Sequence, residues 1–303
     1  MKFVMHLEKI IEEYKGGDFK SIILYGATAS GKSDLGLKIA EKLNKAIIIN
    51  ADSMQLYKEI PIITAQPSSL DGHYLYSIIS CSDMNFSVAK WLKIAADEIN
   101  KAIQQGITPI VLGGTGMYIK SLLDGFTAIP EISPEIMNRV MNDLKSIGLE
   151  KIHQKLFDVD SKTAEKVCDP QRVTRALAVF EQTGKAISEW QQSNEKYFDS
   201  SSSMRIWLKP ERQILYKRIN DRFIKMLEVG AIDEVQNLVR KLPNITHPKA
   251  IGIEQIKQHI RGDISKESLI STGQQLTRNY AKRQETWFRN RLNDSGRFII
   301  ENI

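Results

Sequence analysis

Short apolar runs recur through the first third of the chain, at Ser21–Tyr25, Ala46–Asn50, Tyr74–Ser80 and Thr108–Leu112. Between them, apolar residues return at helical spacing over Lys32–Leu43 and Phe86–Gln104. Alternating strand and helix patterns predict a parallel sheet with helices on both faces, an α/β core. The first residues, Met1–Tyr14, mix Lys2, Glu8, Lys9, Glu12 and Glu13 with apolar positions. They read as an amphipathic helix rather than a signal peptide. After Gly125 the pattern changes. Residues 133–192 read as helical throughout, with starts marked by Ser133-Pro134 and Asp169-Pro170, because proline is favoured just inside a helix start. A serine run, Ser200–Ser203, ends this block, and Met204–Leu208 reads as a strand returning to the sheet. The rest is expected to be helical, ending in a long basic helix near 266–291. The predicted organisation is therefore a core made of residues 1–125 and 200–303, interrupted by an all-helical insert over 126–199.

The first strand leads into Gly26-Ala27-Thr28-Ala29-Ser30-Gly31-Lys32-Ser33, and a helix follows. This is a complete phosphate-binding loop in its proper strand–loop–helix setting. Glycine at 26 and 31 permits backbone angles and close approaches that a side chain blocks. Backbone N–H groups of the loop and helix start then converge on phosphate oxygens. Lys32 reaches the terminal phosphates and the Ser33 hydroxyl is placed to hold Mg²⁺. The motif is shared with ATP-binding proteins and specifies phosphate, not the reaction.

Composition narrows the class. The chain has 303 residues with 42% hydrophobic and 26% charged residues, ordinary for a folded protein with a real core. No apolar run approaches the ~20 residues of a membrane helix. Cys81 and Cys168 lie far apart with no metal-type spacing and read as buried, reduced thiols of a cytoplasmic protein. His6, His73, His153, His247 and His259 form no local ligand pair. The net charge of +6 is uneven: residues 1–150 hold 15 Lys+Arg against 17 Asp+Glu, and residues 151–303 hold 27 against 19. A basic second half fits either a polyanion partner or a solvated basic surface.

Further candidate groups follow the strands. The second strand runs into Asn50-Ala51-Asp52-Ser53-Met54-Gln55-Leu56-Tyr57, which sets Asp52 beside the phosphate loop, where ligands of open α/β sheets bind. The fourth ends in Leu112-Gly113-Gly114-Thr115-Gly116. Nucleotide hydrolases often carry a Mg²⁺-ordering Asp at such a strand end, and its absence argues against an ordinary ATPase or GTPase. The glycines fit either a backbone pressed against a ligand or a tight turn. In the helical block, Arg172 and Arg175 share a helix face, and Gln171 is suited to a base edge. Arg218 and Arg222 lie one helical turn apart, and a guanidinium fork matches phosphate oxygens; pairing with Asp221 or Glu211 is the alternative. Near the C-terminus, Arg278, Lys282 and Arg289 form a basic stripe interleaved with Tyr280, Trp287 and Phe288. Phosphate backbones need such a stripe; the aromatics read as core anchors before base-stacking platforms.

Together these segments resemble one family, the tRNA dimethylallyltransferases (tRNA isopentenyltransferases). Gly26–Ser33, Asp52–Tyr57, Thr64–Pro67, Leu112–Tyr118, Asp169–Arg175, Ala250–Gly252 and Arg278–Arg289 fit in order, spanning about residues 21–291. The resemblance implies transfer of a dimethylallyl group from its diphosphate to the N6 amine of the adenosine 3′ to the anticodon, in tRNAs reading codons that begin with U. It implies that the phosphate loop, Gly26, Ala27, Thr28, Ala29, Ser30, Gly31, Lys32 and Ser33, holds a prenyl diphosphate, with Mg²⁺ at Ser33. Asp52 matches the family base, Thr28 a donor to the bridging oxygen, and Arg222, with Arg218 in reserve, a diphosphate-binding arginine. Asp52, Ser53, Met54, Gln55, Thr115, Gln171, Arg172, Val173, Thr174 and Arg175 match positions around the flipped adenosine and its neighbours. Lys282, Arg283, Gln284, Trp287 and Arg289 match a tRNA-contacting stretch, and the helical insert is expected to grip the anticodon stem-loop. The expected enzyme is monomeric and cytoplasmic. A phosphate-loop nucleoside or nucleotide kinase with a helical lid is the competing reading, opposed by the missing strand-end Asp and the basic C-terminal helix.

The chain also departs from the family pattern. Ile63 and Gln66 stand where Gly and Lys are usual, Met137 where an arginine is common, with Arg139 close by, and Ile253 where an aromatic follows Ala-Ile-Gly. Ala27 and Ser33 replace Pro and Thr within the loop without changing its chemistry.

Overall fold

The computed structural model describes residues 2–83, 86–127, 129–192, 195–243, 248–292 and 297–301. The chain divides into two compact units, Met1–Leu123 with Tyr197–Ile303, and Asp124–Lys196.

The first unit opens with α1 (Lys2–Gly16), β1 (Ser21–Gly26), α2 (Lys32–Leu43), β2 (Ala46–Asn50), β3 (His73–Tyr74), α3 (Val88–Gln104), β4 (Thr108–Gly113) and α4 (Gly116–Asp124). The helical unit contains α5 (Pro134–Ile147), α6 (Leu149–Val159), α7 (Ser161–Ala164), α8 (Pro170–Thr183) and α9 (Ile187–Trp190). The first unit resumes with β5 (Ser203–Leu208), α10 (Arg212–Glu228), α11 (Ala231–Lys241), α12 (Ile253–Ile260), α13 (Lys266–Arg291) and β6 (Arg297–Ile300).

The six strands form one sheet in the order β3-β2-β4-β1-β5-β6, with every pairing parallel. Continuous apolar runs form these strands because both faces are covered. Ile22, Leu24, Ile110, Leu112, Ile206 and Leu208 pack with Leu7 and Ile10 of α1 and Leu35 and Ile39 of α2. From the alternate positions, Tyr25 stacks on Trp207 and meets Phe288 of α13. Trp91 of α3 stacks on Tyr118 of α4 and donates its Nε1–H to Asn50 O at 2.9 Å. A second core in this unit joins Ile60 and Ile63 to Phe223, Met226, Val235, Leu238, Ile253, Ile256 and Leu269. β1 lies inside the sheet, and the chain leaves it toward β2 and β4 on one side before returning as β5 on the other. Crevices at such reversals, beyond the strand carboxyl ends, receive ligands.

Three expectations need correction. The Tyr74–Ser80 run yields only the two-residue β3, because Leu75 (φ 63°) and Ser77 (φ 50°) turn left-handed and end the extended backbone. The tail is not helical to its end: Phe298-Ile299-Ile300 belongs to β6, registered on β5. Cys81 is buried, and burial beside Glu59 pushes its thiol up to about 12, but Cys168 is exposed.

The helical unit starts where its caps demand. Ser133 Oγ accepts from Ile136 N and Asp169 Oδ1 from Arg172 N, each followed by proline at the helix start. Its core gathers Val140, Ile152, Leu156, Val173, Leu177 and Val179. Among the described residues no helix is long and apolar enough to cross a membrane, and no group of His, Cys, Asp or Glu could hold a metal. His247 lies outside the described residues.

Candidate active site

The loop between β1 and α2 is tightly determined. Gly31 holds φ 95° at the helix start, where a side chain is strained. Ala29 also lies left-handed, at φ 60°, and so does Ala65, at φ 53°, on a separate segment. Both alanines line one cavity of about 640 Å³, with Ser30–Ser33, Asp34, Lys38, Arg218 and Arg222. Non-glycine residues in this region cost about 1–3 kcal/mol and persist where the surroundings impose them, often at ligand sites. Lys32 Nζ donates to Ala27 O at 3.0 Å, which keeps the ammonium at the loop. Burial pulls the Lys32 ammonium down to about 8, with Asp52 opposing and Arg222 adding to the shift. A phosphate is the partner that such a desolvated cation and a helix N-terminus favour.

Asp52 is set at the end of β2 by its own neighbours. Asn50, fully buried, accepts from Asp52 N at 2.8 Å and donates Nδ2–H to Asp52 O at 3.0 Å and Leu75 O at 2.9 Å. Asp52 Oδ1 accepts from Met54 N at 3.1 Å. The next residue, Ser53, donates its N–H to Thr115 Oγ1 at 2.9 Å, which ties this turn to the end of β4. Gln55 Nε2 donates to Thr64 O at 3.0 Å and Ala65 O at 2.9 Å.

Helices α10 and α13 complete the site. Arg222 donates to the Thr28 hydroxyl, and Arg218 Nη1 donates to Ser30 O at 3.2 Å. Lys217 pairs with Asp221 at 3.0 Å. Arg222 is pulled down by burial while Asp52 opposes the shift. From α13, Gln284 accepts from Thr28 N and donates to Gly114 O, both at 2.8 Å. Arg222 borders two cavities: the polar one above, and a second of about 290 Å³ that also holds Thr28 and Asp52. The walls of the second include Ile63, Ile219, Phe223, Met226 and Ile251. A cation, a hydroxyl and a carboxylate thus line one chamber whose remaining walls are partly apolar and partly polar, the latter from Lys249, Thr277, Tyr280 and Arg283.

Mg²⁺ needs few protein ligands, since it keeps waters and phosphate oxygens about it. Ser33 and Asp34 both line the loop cavity and offer hard oxygen donors.

Several expected tRNA contacts are placed otherwise. Gln284 is 5% exposed and both ends of its amide are bonded inside the protein, so it pins the phosphate loop. Val173 and Thr174 face the helical core, while Gln171, Arg172 and Arg175 of the same helix are exposed. On α13, Lys282, Arg283 and Trp287 line a groove of about 500 Å³ with Asn279, Thr286 and Arg291. Arg278 is bonded internally, to Asn220 and Gln275, each at 2.6 Å. Phe288 is fully buried, as a core anchor. The glycines at and after the end of β4 press on protein: a Cβ on Gly113 would stand 2.2 Å from Ala51 O, and one on Gly116 2.2 Å from the Trp287 ring.

Two contributors escaped sequence reading. Asn50 shapes the Asp52 turn, and its one signal is a polar residue closing the apolar run Ala46–Ile49. Glu234 accepts from Ile62 N at 2.6 Å and Ile63 N at 2.8 Å; nothing local in the sequence marks it.

The family model for IPP transferase matches residues 55–291. The chain belongs to the IPP transferase family. Relatives named tRNA dimethylallyltransferase are 41% identical in Wolbachia pipientis wMel, over 90% of this chain and 93% of that protein, and 40% identical in Sinorhizobium medicae, over 92% and 93%. Among solved structures, a eukaryotic dimethylallyltransferase acting on tRNA superposes with TM-score 0.80 at 27% identity, covering 93% of this chain and 74% of that one. The tRNA isopentenylpyrophosphate transferase of Bacillus halodurans gives TM-score 0.65 at 31% identity, covering 93% and 89%.

Within this member of the family the departures have physical placements. Gln66 donates to Tyr57 O at 2.8 Å and accepts from Ser77 Oγ at 2.7 Å, a neutral internal brace where the family pattern has a cation. Met137 packs on the helical core, and Arg139 pairs with Glu181 at 2.7 Å. Ile253 is buried in the second core. Ile63 lines the chamber that holds Thr28, Asp52 and Arg222.

Proposed function

We propose that this chain transfers a dimethylallyl group from dimethylallyl diphosphate to the N6 amine of the adenosine 3′-adjacent to the anticodon, in tRNAs reading codons that begin with U. The observation that carries the reading is the meeting of Thr28, Arg222 and Asp52 in a partly apolar chamber beside the phosphate loop. The names of the relatives agree with it.

The residues divide the work. Loop N–H groups, Lys32 and Arg218 hold the diphosphate. Arg222 orients the Thr28 hydroxyl toward the oxygen between carbon C1 and the diphosphate. As the C1–O bond breaks, its electron pair leaves with the diphosphate, and these donors stabilise the growing charge. The N6 lone pair forms the new bond to C1. That lone pair is delocalised into adenine, so loss of an N6 proton must accompany attack, and Asp52 accepts it. The adenine leaves its stack to enter the chamber. Mg²⁺, held by Ser33 and the diphosphate oxygens, would supply additional charge neutralisation when bound. Exposed Gln171, Arg172 and Arg175 in one unit, and Lys282, Arg283, Trp287 and Arg289 in the other, are suited to the anticodon stem-loop. A kinase is disfavoured: β4 ends in Gly-Gly-Thr without a Mg²⁺-ordering carboxylate.

The test is transfer of radiolabelled dimethylallyl diphosphate into unmodified tRNA carrying adenosine beside the anticodon, with Mg²⁺, by wild type and Asp52→Ala. Incorporation by wild type and at least ~100-fold slower single-turnover transfer by the variant are expected. A folded wild type that labels no tRNA but consumes ATP would overturn the reading.

A further inference from the structure

Gln284 belongs to the buried face of α13. It stands at helical spacing between Ala281 and Phe288, both fully buried, while Lys282, Arg283 and Trp287 line the groove. Both ends of its amide are used: Oε1 accepts from Thr28 N and Nε2 donates to Gly114 O, each at 2.8 Å. These backbone partners allow the amide one orientation only, because an N–H can only donate and a carbonyl can only accept. Gly114 is itself closely held. A Cβ there would stand 2.6 Å from Gln284 Nε2, 3.3 Å from Gly26 O and 3.4 Å from Asp52 Oδ2. The next residue, Thr115, donates its N–H to Ala51 O at 3.2 Å and takes the Ser53 N–H on its hydroxyl at 2.9 Å. Through Gly114, Gln284 ties the phosphate loop to the turn that carries Asp52.

Thr28 is the loop residue that this tie holds. It lines the chamber with Asp52, whereas Ala29 and Ser30–Ser33 line the loop cavity. Two bonds fix it, from its N–H to Gln284 and from Arg222 to its hydroxyl. The residue that follows, Ala29, is left-handed at φ 60°, a conformation that persists where the surroundings impose it. Without Gln284, the Thr28 N–H and the Gly114 carbonyl both lose a partner, and the strained loop is released at its chamber end. We infer that Gln284 is a positioning residue of the transfer: it holds the Thr28 hydroxyl in register with Asp52. The donor to the leaving oxygen and the acceptor of the N6 proton then stand on opposite sides of the reacting carbon. The inference rests on the transferase reading and adds to it a residue that acts through Thr28 and touches neither substrate.

The experiment is a double-mutant cycle. Gln284→Met keeps the length of the side chain without its polar ends; Gln284→Asn keeps the ends but is one methylene too short. Each is made in wild type and in Thr28→Ala, and each protein is checked for a cooperative thermal transition. Single-turnover transfer of radiolabelled dimethylallyl diphosphate into unmodified tRNA is measured with Mg²⁺, together with KM for tRNA and its dependence on salt. In the wild-type background, either substitution should slow transfer by about tenfold to a hundredfold, the scale of a misplaced reacting group. KM for tRNA and its salt dependence should stay unchanged. In Thr28→Ala there is no hydroxyl left to place, so the same substitution should slow transfer by less than about threefold, as expected when two groups act as a unit. The asparagine variant carries the test where the methionine variant does not fold. An equal loss in both backgrounds would overturn the role of Gln284 by showing that it does not act through Thr28. A raised, salt-sensitive KM for tRNA with unchanged single-turnover transfer would overturn it by making Gln284 a tRNA contact. Both results leave the transferase reading standing, whereas failure of wild type to transfer the dimethylallyl group would overturn both.

Discussion

In the α/β unit, polar groups at the site are bonded to partners far away in the chain: Thr28 to Gln284 and Arg222, Ser53 to Thr115, Ile63 to Glu234. In the helical unit, the candidate cations are exposed; Arg172 pairs with Asp169 one turn earlier at 3.4 Å and Arg139 with Glu181 in solvent. An exposed pair of this kind contributes roughly 0–1 kcal/mol, so it exchanges its partner for a phosphate at little cost. A half-buried group bonded within the site is already oriented, and its charge acts through a poorer dielectric. On the function proposed above, one unit carries the chemistry and the other a reversible grip.

Substitutions should separate the two. The largest effect is expected at Arg222. Arg222→Ala should lower the single-turnover rate by about 10²-fold, the usual scale for losing a preorganised donor to a developing charge. Lysine should restore little, because it lacks the planar fork. Near-normal single-turnover transfer by Arg222→Ala would remove the distinction at its strongest point.

Next comes pH. Lys32 is charged below about 8, its depressed value, and neutral above it. For the free enzyme, kcat/KM for the donor should therefore fall about tenfold per pH unit above that point. Arginine does not titrate there, so Lys32→Arg should lose activity overall but flatten the alkaline limb. A pH–rate profile of both proteins decides it. The same shift has a stability sign. The folded value lies below the ordinary 10.5, so this group favours folding above 10.5, and the benefit is lost as pH falls toward about 8.

The smallest effect belongs to the helical unit. Arg172→Ala and Arg175→Ala should each raise KM for tRNA a few-fold. Each should also reduce the slope of log KM against log salt by about one, with kcat moving least. A loss confined to kcat and insensitive to salt would show that these arginines serve the chemistry instead.

What was legible in the sequence was local. The phosphate loop declared itself because its glycines, lysine and hydroxyl lie within eight residues. The helical unit declared its starts through Ser133-Pro134 and Asp169-Pro170, where cap and proline are neighbours. Gln284 was misplaced for the opposite reason: it sits in a basic, aromatic stretch, while its partners lie at Thr28 and Gly114. Val173 and Thr174 share a motif with two exposed arginines, but helical spacing turns them to the core. β6 was missed because three apolar residues gain strand character only from the neighbour they pair with. Glu234 could not be singled out, since its role is to receive two N–H groups from a distant segment.

The bond from Thr28 N to Gln284 also bears on synthesis. The phosphate loop emerges early, but the residue that pins it emerges 256 positions later. At about 5–20 residues per second, the ribosome takes on the order of ten seconds or more to bridge that interval. A nascent chain halted before α13 carries the motif without its clasp. Competence to transfer thus waits for α13, and products that stop between the loop and α13 are expected to be inert.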